Sequence, residues 1–308
     1  MKILVIGHAS YDITTPVESY PIENNKIRVH SRVECGGGPA SNAAYLLGKW
    51  GLDVTFAGVV GNDLYGKRIK NEFEKIKVNT QFLELAQNKK TSSAFIIANR
   101  ENGSRTVLTY RPDDLKLKNL DIDFEPDVIL IDGQEYEKSK EVLNKFPNAI
   151  SIIDASRDRK EIVELSKMVN YLVCSKGFAE QISQLKIDYN DFNSAVKVLE
   201  KLETIFKNNV VVTLEDRGCL YRYNNEVKIM PAIKVKAIDS TAAGDIFHGA
   251  FTYGIAKSFN YEKALKIANI AGAISVTRIG GRNSIPTAAE MREVYNEFRW
   301  NFIYKSLP

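Results

Sequence analysis

The strongest constraint on this chain is a set of Ile, Val and Leu runs too continuous to alternate across a half-exposed sheet. Residues 3–6, 54–60, 128–131, 150–153, 171–174 and 210–213 are apolar at nearly every position, as strands covered on both faces should be. Between them the period lengthens. Ile69, Phe73 and Ile76 recur at spacings of four and three, and Val196, Leu199 and Leu202 at three, each set marking one buried helix face. Strands and helices alternating in this order predict a doubly wound α/β fold, a mainly parallel sheet with helices on both faces. The last third is mostly helical in pattern, with apolar faces over 242–256, 261–276 and 287–302. No internal repeat, low-complexity tract or linker interrupts the chain, so residues 1–308 read as one domain.

Two stretches depart from this plan. Lys26-Ile27-Arg28-Val29-His30-Ser31-Arg32-Val33 alternates polar and apolar residues, while 93–99 and 105–110 flank Asn102-Gly103, a dipeptide suited to a tight hairpin turn. Antiparallel strands outside the parallel core are expected there, which assigns segments 13–33 and 91–111 to a small β-sheet lid. Such a sheet has an apolar face to hide. It covers a cleft, pairs with a second copy to make a homodimer, or does both; a surface hairpin with neither role is the alternative.

Charge and cysteine usage narrow the function classes. Forty-two basic residues against 38 acidic ones give a net +4 without a long basic run, so nucleic acid is not an expected partner. No apolar run approaches the roughly 20 residues of a membrane span, and Met1 to Gly7 enter a strand pattern directly; no membrane contact and a cytoplasmic location are expected. Cys35, Cys174 and Cys219 lie far apart and lack zinc-site spacing, which suits reduced, structural thiols. His8, His30 and His248 show no metal-ligand spacing either, and packing or surface roles are expected for them, although His8 and His248 lie near the motifs below.

Asp239-Ser240-Thr241-Ala242-Ala243-Gly244-Asp245-Ile246-Phe247 places small residues and a carboxylate where a helical pattern begins. The first N–H groups of a helix have no partner within it, and Ala and Gly side chains let an anion approach them closely. The stretch reads as an anion hole at Ala242, Ala243 and Gly244 with a base, Asp245, beside it; compensation of the helix N-terminus is the simpler role for that carboxylate. A second stretch, Cys35-Gly36-Gly37-Gly38-Pro39-Ala40-Ser41-Asn42-Ala43-Ala44, follows the alternating segment. Successive glycines permit positive φ and close backbone approach. They suit a loop wrapped against a small polar ligand, with the Asn42 amide at the helix opening, or equally a turn ended by a helix cap. No Lys-Ser or Lys-Thr pair makes it a Walker loop, and no Gly-x-Gly-x-x-Gly follows the first strand, which disfavours a dinucleotide-dependent dehydrogenase.

Together the two stretches resemble the signatures of the ribokinase-like sugar kinases, the PfkB family. The resemblance covers essentially the whole chain, including Gly7 to Asp12, Gly58-Val59-Val60-Gly61-Asn62-Asp63 with Gly66, Val211-Val212-Thr213-Leu214 and Gly280-Gly281-Arg282-Asn283-Ser284-Ile285-Pro286. It implies transfer of the γ-phosphate of ATP to a hydroxymethyl group of a sugar, sugar phosphate or nucleoside. It also implies Asp245 as general base, the N–H groups of Ala242, Ala243 and Gly244 as anion hole, and Asp12, Asn42, Gly37 and Gly38 around the sugar hydroxyls. On the nucleotide side it implies Ser175, Thr213, Glu215 and Gly218 near the phosphates and ribose, and Asn269 at the adenine. Mg²⁺ accompanies ATP, and a monovalent cation, K⁺, is implied at Asp239, Thr241, Ser275, Gly280 and Ser284.

This sequence departs from the family pattern at several points. Glu215 stands where ribokinases usually carry Gly, and Pro39 where ribose-phosphorylating relatives typically carry Lys. The Asn-x-x-Glu element that helps organise Mg²⁺ would begin at Ser175, but Phe178 occupies the Glu position and Glu180 comes two residues late. A free sugar of ketohexose or pentose type is the expected substrate. A nucleoside, or a catalytically silent homologue that binds sugar or nucleotide, is the alternative. Arg28, Arg32, Arg105 and Arg111 lie on or near the proposed lid, where solvated strand faces are expected of them rather than phosphate contacts.

Overall fold

The computed structural model describes residues 1–156 and 158–297. The first half of the chain forms β1 (Lys2–Ile6), β2 (Ser10–Val17), β3 (Val33–Gly37), α1 (Pro39–Lys49), β4 (Asp53–Gly61), α2 (Leu64–Lys75), β5 (Asn79–Ala86), β6 (Ser93–Asn99), β7 (Arg105–Tyr110), β8 (Val128–Ile131), α3 (Tyr136–Lys145) and β9 (Ile150–Ala155). The second half forms α4 (Lys160–Ser166), β10 (Tyr171–Ser175), α5 (Lys176–Ser183), α6 (Phe192–Phe206), β11 (Asn209–Thr213), β12 (Cys219–Tyr223), β13 (Glu226–Met230), α7 (Ala243–Ala256), α8 (Tyr261–Ser275), α9 (Gly281–Ser284) and α10 (Ala288–Glu297).

Among the described residues these strands make a nine-stranded sheet ordered β13-β12-β11-β10-β9-β8-β1-β4-β5 and a four-stranded sheet ordered β3-β2-β6-β7. The large sheet is parallel from β5 to β11, with an antiparallel edge at β12 and β13. Alternation along each strand splits its apolar residues between two faces. Ile3 and Val5 of β1 join the core with α1, α7 and α8, whereas Leu4 and Ile6 join Val142, Ile162 and Val198 of α3, α4 and α6 on the other side. The doubly wound expectation holds. The chain leaves β1 toward β4 and β5 on one side and returns to β8 on the other, so the strand order reverses at β1 and β8. Crevices in open α/β sheets form at the carboxyl ends of such a pair.

The helix expectations need small adjustments. Ile76 sits at the C-cap of α2 rather than within it, and Val196 is half-buried, with Ala195 and Val198 taking the inward face of α6 beside Leu199 and Leu202. Of the segment 287–302, helix is seen from Ala288 to Glu297, and the remainder lies outside the described residues. Among the described residues no helix is long and apolar enough to cross a membrane.

The small sheet differs more from expectation. Residues 26–32 form no strand and lie exposed, because Ile27 and Val29 find no apolar face to cover; pairing of β3 with β2 begins only at Val33 and Thr14. The small sheet is therefore 10–17, 33–37, 93–99 and 105–110: its last two strands fall within the expected 91–111, whereas of 13–33 only 13–17 and 33 are strand. Its central pair is parallel, not antiparallel: β2 continues from β1, and β6 follows the β4–α2–β5 crossover, so both leave the large sheet in the same direction. The hairpin between β6 and β7 is longer than an Asn-Gly turn. Its loop spans 100–104, closed by Gly103 N–H to Asn99 O at 2.8 Å, with only Gly103 in the left-handed region at φ +72°. Aliphatic runs do not mark β5 or β13, half-exposed strands at the two sheet edges, nor β12, which lies inside β13 and buries Cys219, Leu220 and Tyr221.

Candidate active site

The crevice at the strand reversal is pinned by one carboxylate. Asp132, directly after β8, accepts the N–H of His8 at 2.8 Å and of Ala40 at 3.2 Å on Oδ2, and the N–H of Gln134 at 3.0 Å on Oδ1. These bonds join the β1–β2 connection, the start of α1 and the loop after β8. Gly7 makes the approach possible: at φ +155° a Cβ there would lie 2.2 Å from Asp132 Oδ1. Gly38 is held in the left-handed region, φ +94°, with His8 O 2.5 Å from where its Cβ would be.

On this frame three side chains expected to act together do meet. Asn42 is buried in the first turn of α1 and donates from Nδ2 to Asp245 Oδ2 at 2.8 Å, across 203 residues of sequence. Its Oδ1 is buried without a hydrogen-bond partner among the described residues. Asp12, in β2, is buried and accepts from Ser10 Oγ at 2.9 Å. Burial pushes its carboxyl up to about 6, against the Ser10 hydrogen bond; the negative charge of Asp245 adds to the rise and Arg282 opposes it. Gly37 closes the group, since a Cβ there would lie 2.1 Å from Asp12 Oδ2.

Asp245 stands in the first turn of α7, at the positive end of the helix dipole. Ala242, at φ +60°, is the N-cap, and a Cβ on Gly244 would meet no atom within 4 Å, so the first turn faces open space. The Gly244 N–H has no carbonyl partner within the helix. Ala243 differs from expectation: its N–H already donates to Ser240 O at 3.3 Å in the turn that leads into the helix. Ser240 also meets the lid. Its N–H and Oγ donate to Gly103 O at 3.1 and 3.0 Å, and Arg105 Nη1 donates to its Oγ at 2.7 Å.

Behind Gly244 lies a pair that motif reading did not single out. His248 is buried one turn along α7, with Nδ1 2.6 Å from Gly244 O and 3.3 Å from Asp154 Oδ2, and Nε2 3.1 Å from Val173 O. Burial pushes the Asp154 carboxyl up to about 7, although His248 pulls it down and Asp245 adds to the rise. The signal for both new acids was present in the sequence, where Asp132 and Asp154 end the aliphatic runs of β8 and β9.

The nucleotide-side candidates cluster at neighbouring strand ends. Ser175 and Thr213 end β10 and β11 in register; Ser175 Oγ caps α5 through Phe178 N–H at 3.2 Å, and Thr213 Oγ1 donates to Cys174 O at 3.3 Å. Glu215 is exposed with φ +55°, a left-handed backbone that favours Gly. Gly218 cannot be replaced without movement, because its Cβ would lie 1.9 Å from Met230 O. Asn269 is buried on α8, its Nδ2 3.6 Å from Cys219 Sγ at the start of β12. Phe178 packs in the core against Phe206, and Glu180 accepts from Ile187 N–H and Lys186 Nζ, both at 2.9 Å. Glu180 is thus committed to its own loop.

The cation candidates come from three segments, of which Asp239 joins two. Asp239 accepts from Thr241 N–H and Gly280 N–H, both at 2.8 Å, while Ser275 Oγ and Ser284 Oγ donate to Gly272 O and Gly281 O, both at 2.7 Å. Thr241 Oγ1 is buried and has no partner among the described residues. All three cysteines are free and buried, in keeping with structural thiols.

The two raised carboxyls fix the sign of a pH dependence. An unfolded Asp titrates near 3.9, so the folded protein holds protons on Asp12 and Asp154 more tightly than the unfolded chain. Their stabilising contribution is fully present below about pH 4 and is lost as the pH rises through about 6 to 7. Urea unfolding at pH 4.5 and 7.5 should therefore show Asp12→Asn and Asp154→Asn gaining stability relative to the wild type at the higher pH. A stability difference independent of pH would contradict these assignments.

The family model for pfkB family carbohydrate kinases matches residues 1–288. The chain is 26% identical over 304 residues to the ribokinase of Staphylococcus aureus (strain COL), with 95% of this chain and 99% of that protein covered. It is similar to the crystal structure of ribokinase from Thermotoga maritima, with a TM-score of 0.78 at 28% identity, 96% of this chain and 99% of that one being covered. The fold is also that of the Arabidopsis thaliana ribokinase complexed with ribose and ATP, at a TM-score of 0.77 and 18% identity over 97% of this chain and 99% of that one. With its doubly wound sheet, small lid sheet and matching motifs, the chain belongs to the pfkB family of carbohydrate kinases.

Proposed function

We propose that this protein phosphorylates a hydroxymethyl group of a sugar, with Asp245 as general base. The observation that carries this reading is the Asn42–Asp245 hydrogen bond at the first turn of α7, with Asp12 close enough for the two carboxylates to affect each other. Asn42 holds Oδ2 of Asp245, which leaves Oδ1 to take a proton from the substrate hydroxyl. An alcohol is far less acidic than a carboxyl group, so that proton moves as the new P–O bond forms, and positioning with charge stabilisation supplies most of the rate. The Gly244 N–H and the field of α7 stabilise negative charge on the transferring group. Asp12 and the free Oδ1 of Asn42 accept hydrogen bonds from sugar hydroxyls, and the glycines at 37 and 38 let the chain wrap closely around them.

When bound, ATP supplies the phosphoryl group and Mg²⁺, held chiefly through the phosphates, neutralises their charge. The strand ends at Ser175 and Thr213 with the Gly218 loop suit the nucleotide, and Asn269 suits one wall of the adenine site. Asp245→Asn should lower kcat for ADP release by about 10² to 10⁴-fold with little change in KM or in thermal stability. Retention of full activity would remove Asp245 from the base role.

The residues Asp239, Thr241, Ser275, Gly280 and Ser284 fit a hard monovalent cation, because they offer only oxygen donors and leave Thr241 Oγ1 unsatisfied in a buried position. K⁺ bound there would brace the turn into α7. Activity in K⁺ should exceed activity in Li⁺ severalfold, and equal rates would exclude the site.

The lid supports a homodimer. Phe95 of β6 and its cross-strand neighbour Leu108 of β7 are 53% and 59% exposed, while Ala94, Ile96 and Ala98 pack inward, so the sheet is apolar on both faces. A second copy is the partner suited to the outer face. Sedimentation should show a dimer that Leu108→Glu dissociates; a wild-type monomer at micromolar concentration would overturn this arrangement.

A further inference from the structure

Both ring nitrogens of His248 face carbonyl oxygens. Nδ1 lies 2.6 Å from Gly244 O and Nε2 3.1 Å from Val173 O, with the ring buried on α7. A carbonyl oxygen has no proton to give, and a neutral imidazole has one N–H and one bare nitrogen. Either neutral tautomer therefore turns a lone pair onto a carbonyl, Nδ1 onto Gly244 O or Nε2 onto Val173 O. A ring with protons on both nitrogens donates to both. A protonated Asp154 donating to Nδ1 does not relieve the conflict, because Gly244 O is closer to that nitrogen than Asp154 Oδ2, at 3.3 Å.

The surroundings favour the charged ring. Burial by itself disfavours an imidazolium, but the Asp154 carboxylate lies on its Nδ1 side, and Asp245 and Asp132 act on Asp154 with further negative charge. Cys174 of β10, beside Asp154, is held as a neutral thiol by burial.

This charge meets the anion-binding turn through one peptide. Gly244 O belongs to the peptide that carries the N–H of Asp245, the third residue of α7 and one of those whose N–H a helix leaves without an internal partner. A proton donated to that carbonyl polarises the peptide and strengthens its N–H as a donor, as hydrogen bonds in a chain reinforce one another.

We infer that His248 is an imidazolium, held by Asp154 and Val173 O, whose charge positions and polarises the first turn of α7 for phosphoryl transfer. It is a positioning residue, acting through the Gly244–Asp245 peptide. The role rests on the kinase reading above, whereas the protonation state does not.

The test uses the full chain labelled with ¹⁵N-histidine at pH 7.5, above the value of about 7 to which burial raises Asp154. The His248 ring signals, identified by their loss in His248→Asn, should show protons on both nitrogens, and Asp154→Asn should remove one of them. One unprotonated ring nitrogen in the wild type would overturn the inference. ADP release with Mg-ATP and ribose or fructose reads the role. His248→Asn keeps an amide donor near Gly244 O but carries no charge, so kcat should fall about tenfold or more with KM for ATP and sugar little changed. His248→Leu, lacking both donor and charge, should fall at least as far. Should these variants fail to fold, Asp154→Asn should lower kcat at pH 7.5 and regain part of it, relative to the wild type, at pH 6, where the ring takes its proton back. Wild-type kcat in His248→Asn would overturn the role of the charge. No turnover of either sugar by the wild type would count against the kinase reading and with it the role, while the ring signals still decide the charge.

Discussion

The Asp132 carboxylate is the constraint on which the site depends. It sits where the sheet order reverses, and it takes three backbone N–H groups from segments that the chain visits far apart in sequence. Burial alone would favour its neutral form and pushes its pKa up, while those three N–H groups favour the charge and pull it back. The consequence is geometric. The β1–β2 connection, the start of α1 and the loop after β8 cannot move independently, and each presents a part of the crevice: Asp12 on β2, Asn42 on α1, Gln134 on the loop.

The same logic extends to the far side of the crevice. Asp239 ties the turn before α7 to Gly280, and His248 ties the first turn of α7 to β9 and β10 through Asp154 and Val173 O. Buried polar groups set the position of the α7 N-terminus relative to the sheet from two directions. A third connection comes from the lid, whose Gly103 carbonyl accepts from Ser240 at the entrance to that helix. The β6–β7 hairpin and the turn before α7 are therefore linked through Ser240, which also accepts from Arg105 of β7. Arg282 adds a further link: buried on α9, it donates to Glu72 of α2 at 2.7 Å, and Glu72 accepts from Gly36 N–H of β3. A buried pair of this kind holds geometry more than it adds net stability.

Much of this was legible in the residues, and the failures have physical causes. Aliphatic continuity located the interior strands because burial on both faces leaves no room for polar side chains, as in Val128–Ile131. It could not find β5 or β13, whose half-exposed faces carry Glu, Gln and Lys. Alternation misled at 26–32, since a period of two says that a strand could cover an apolar face without saying that one exists nearby. The motifs brought Asp12, Asn42 and Asp245 near one another: Gly37 marks a close approach to Asp12, and Gly244 leaves the first turn of α7 open. Asp154 with His248 is a pairing made by tertiary structure between segments whose separation no local pattern encodes.

The claim at the centre of this account is that the crevice joins a sugar hydroxyl to a phosphoryl group. Phosphorus NMR of Mg-ATP with the wild-type protein and a sugar that raises its Tm follows that event directly. A new phosphomonoester resonance, distinct from inorganic phosphate and growing as the γ-phosphate signal falls, is the predicted result. Unchanged ATP, or inorganic phosphate as the sole new signal while that sugar is demonstrably bound, would contradict the account.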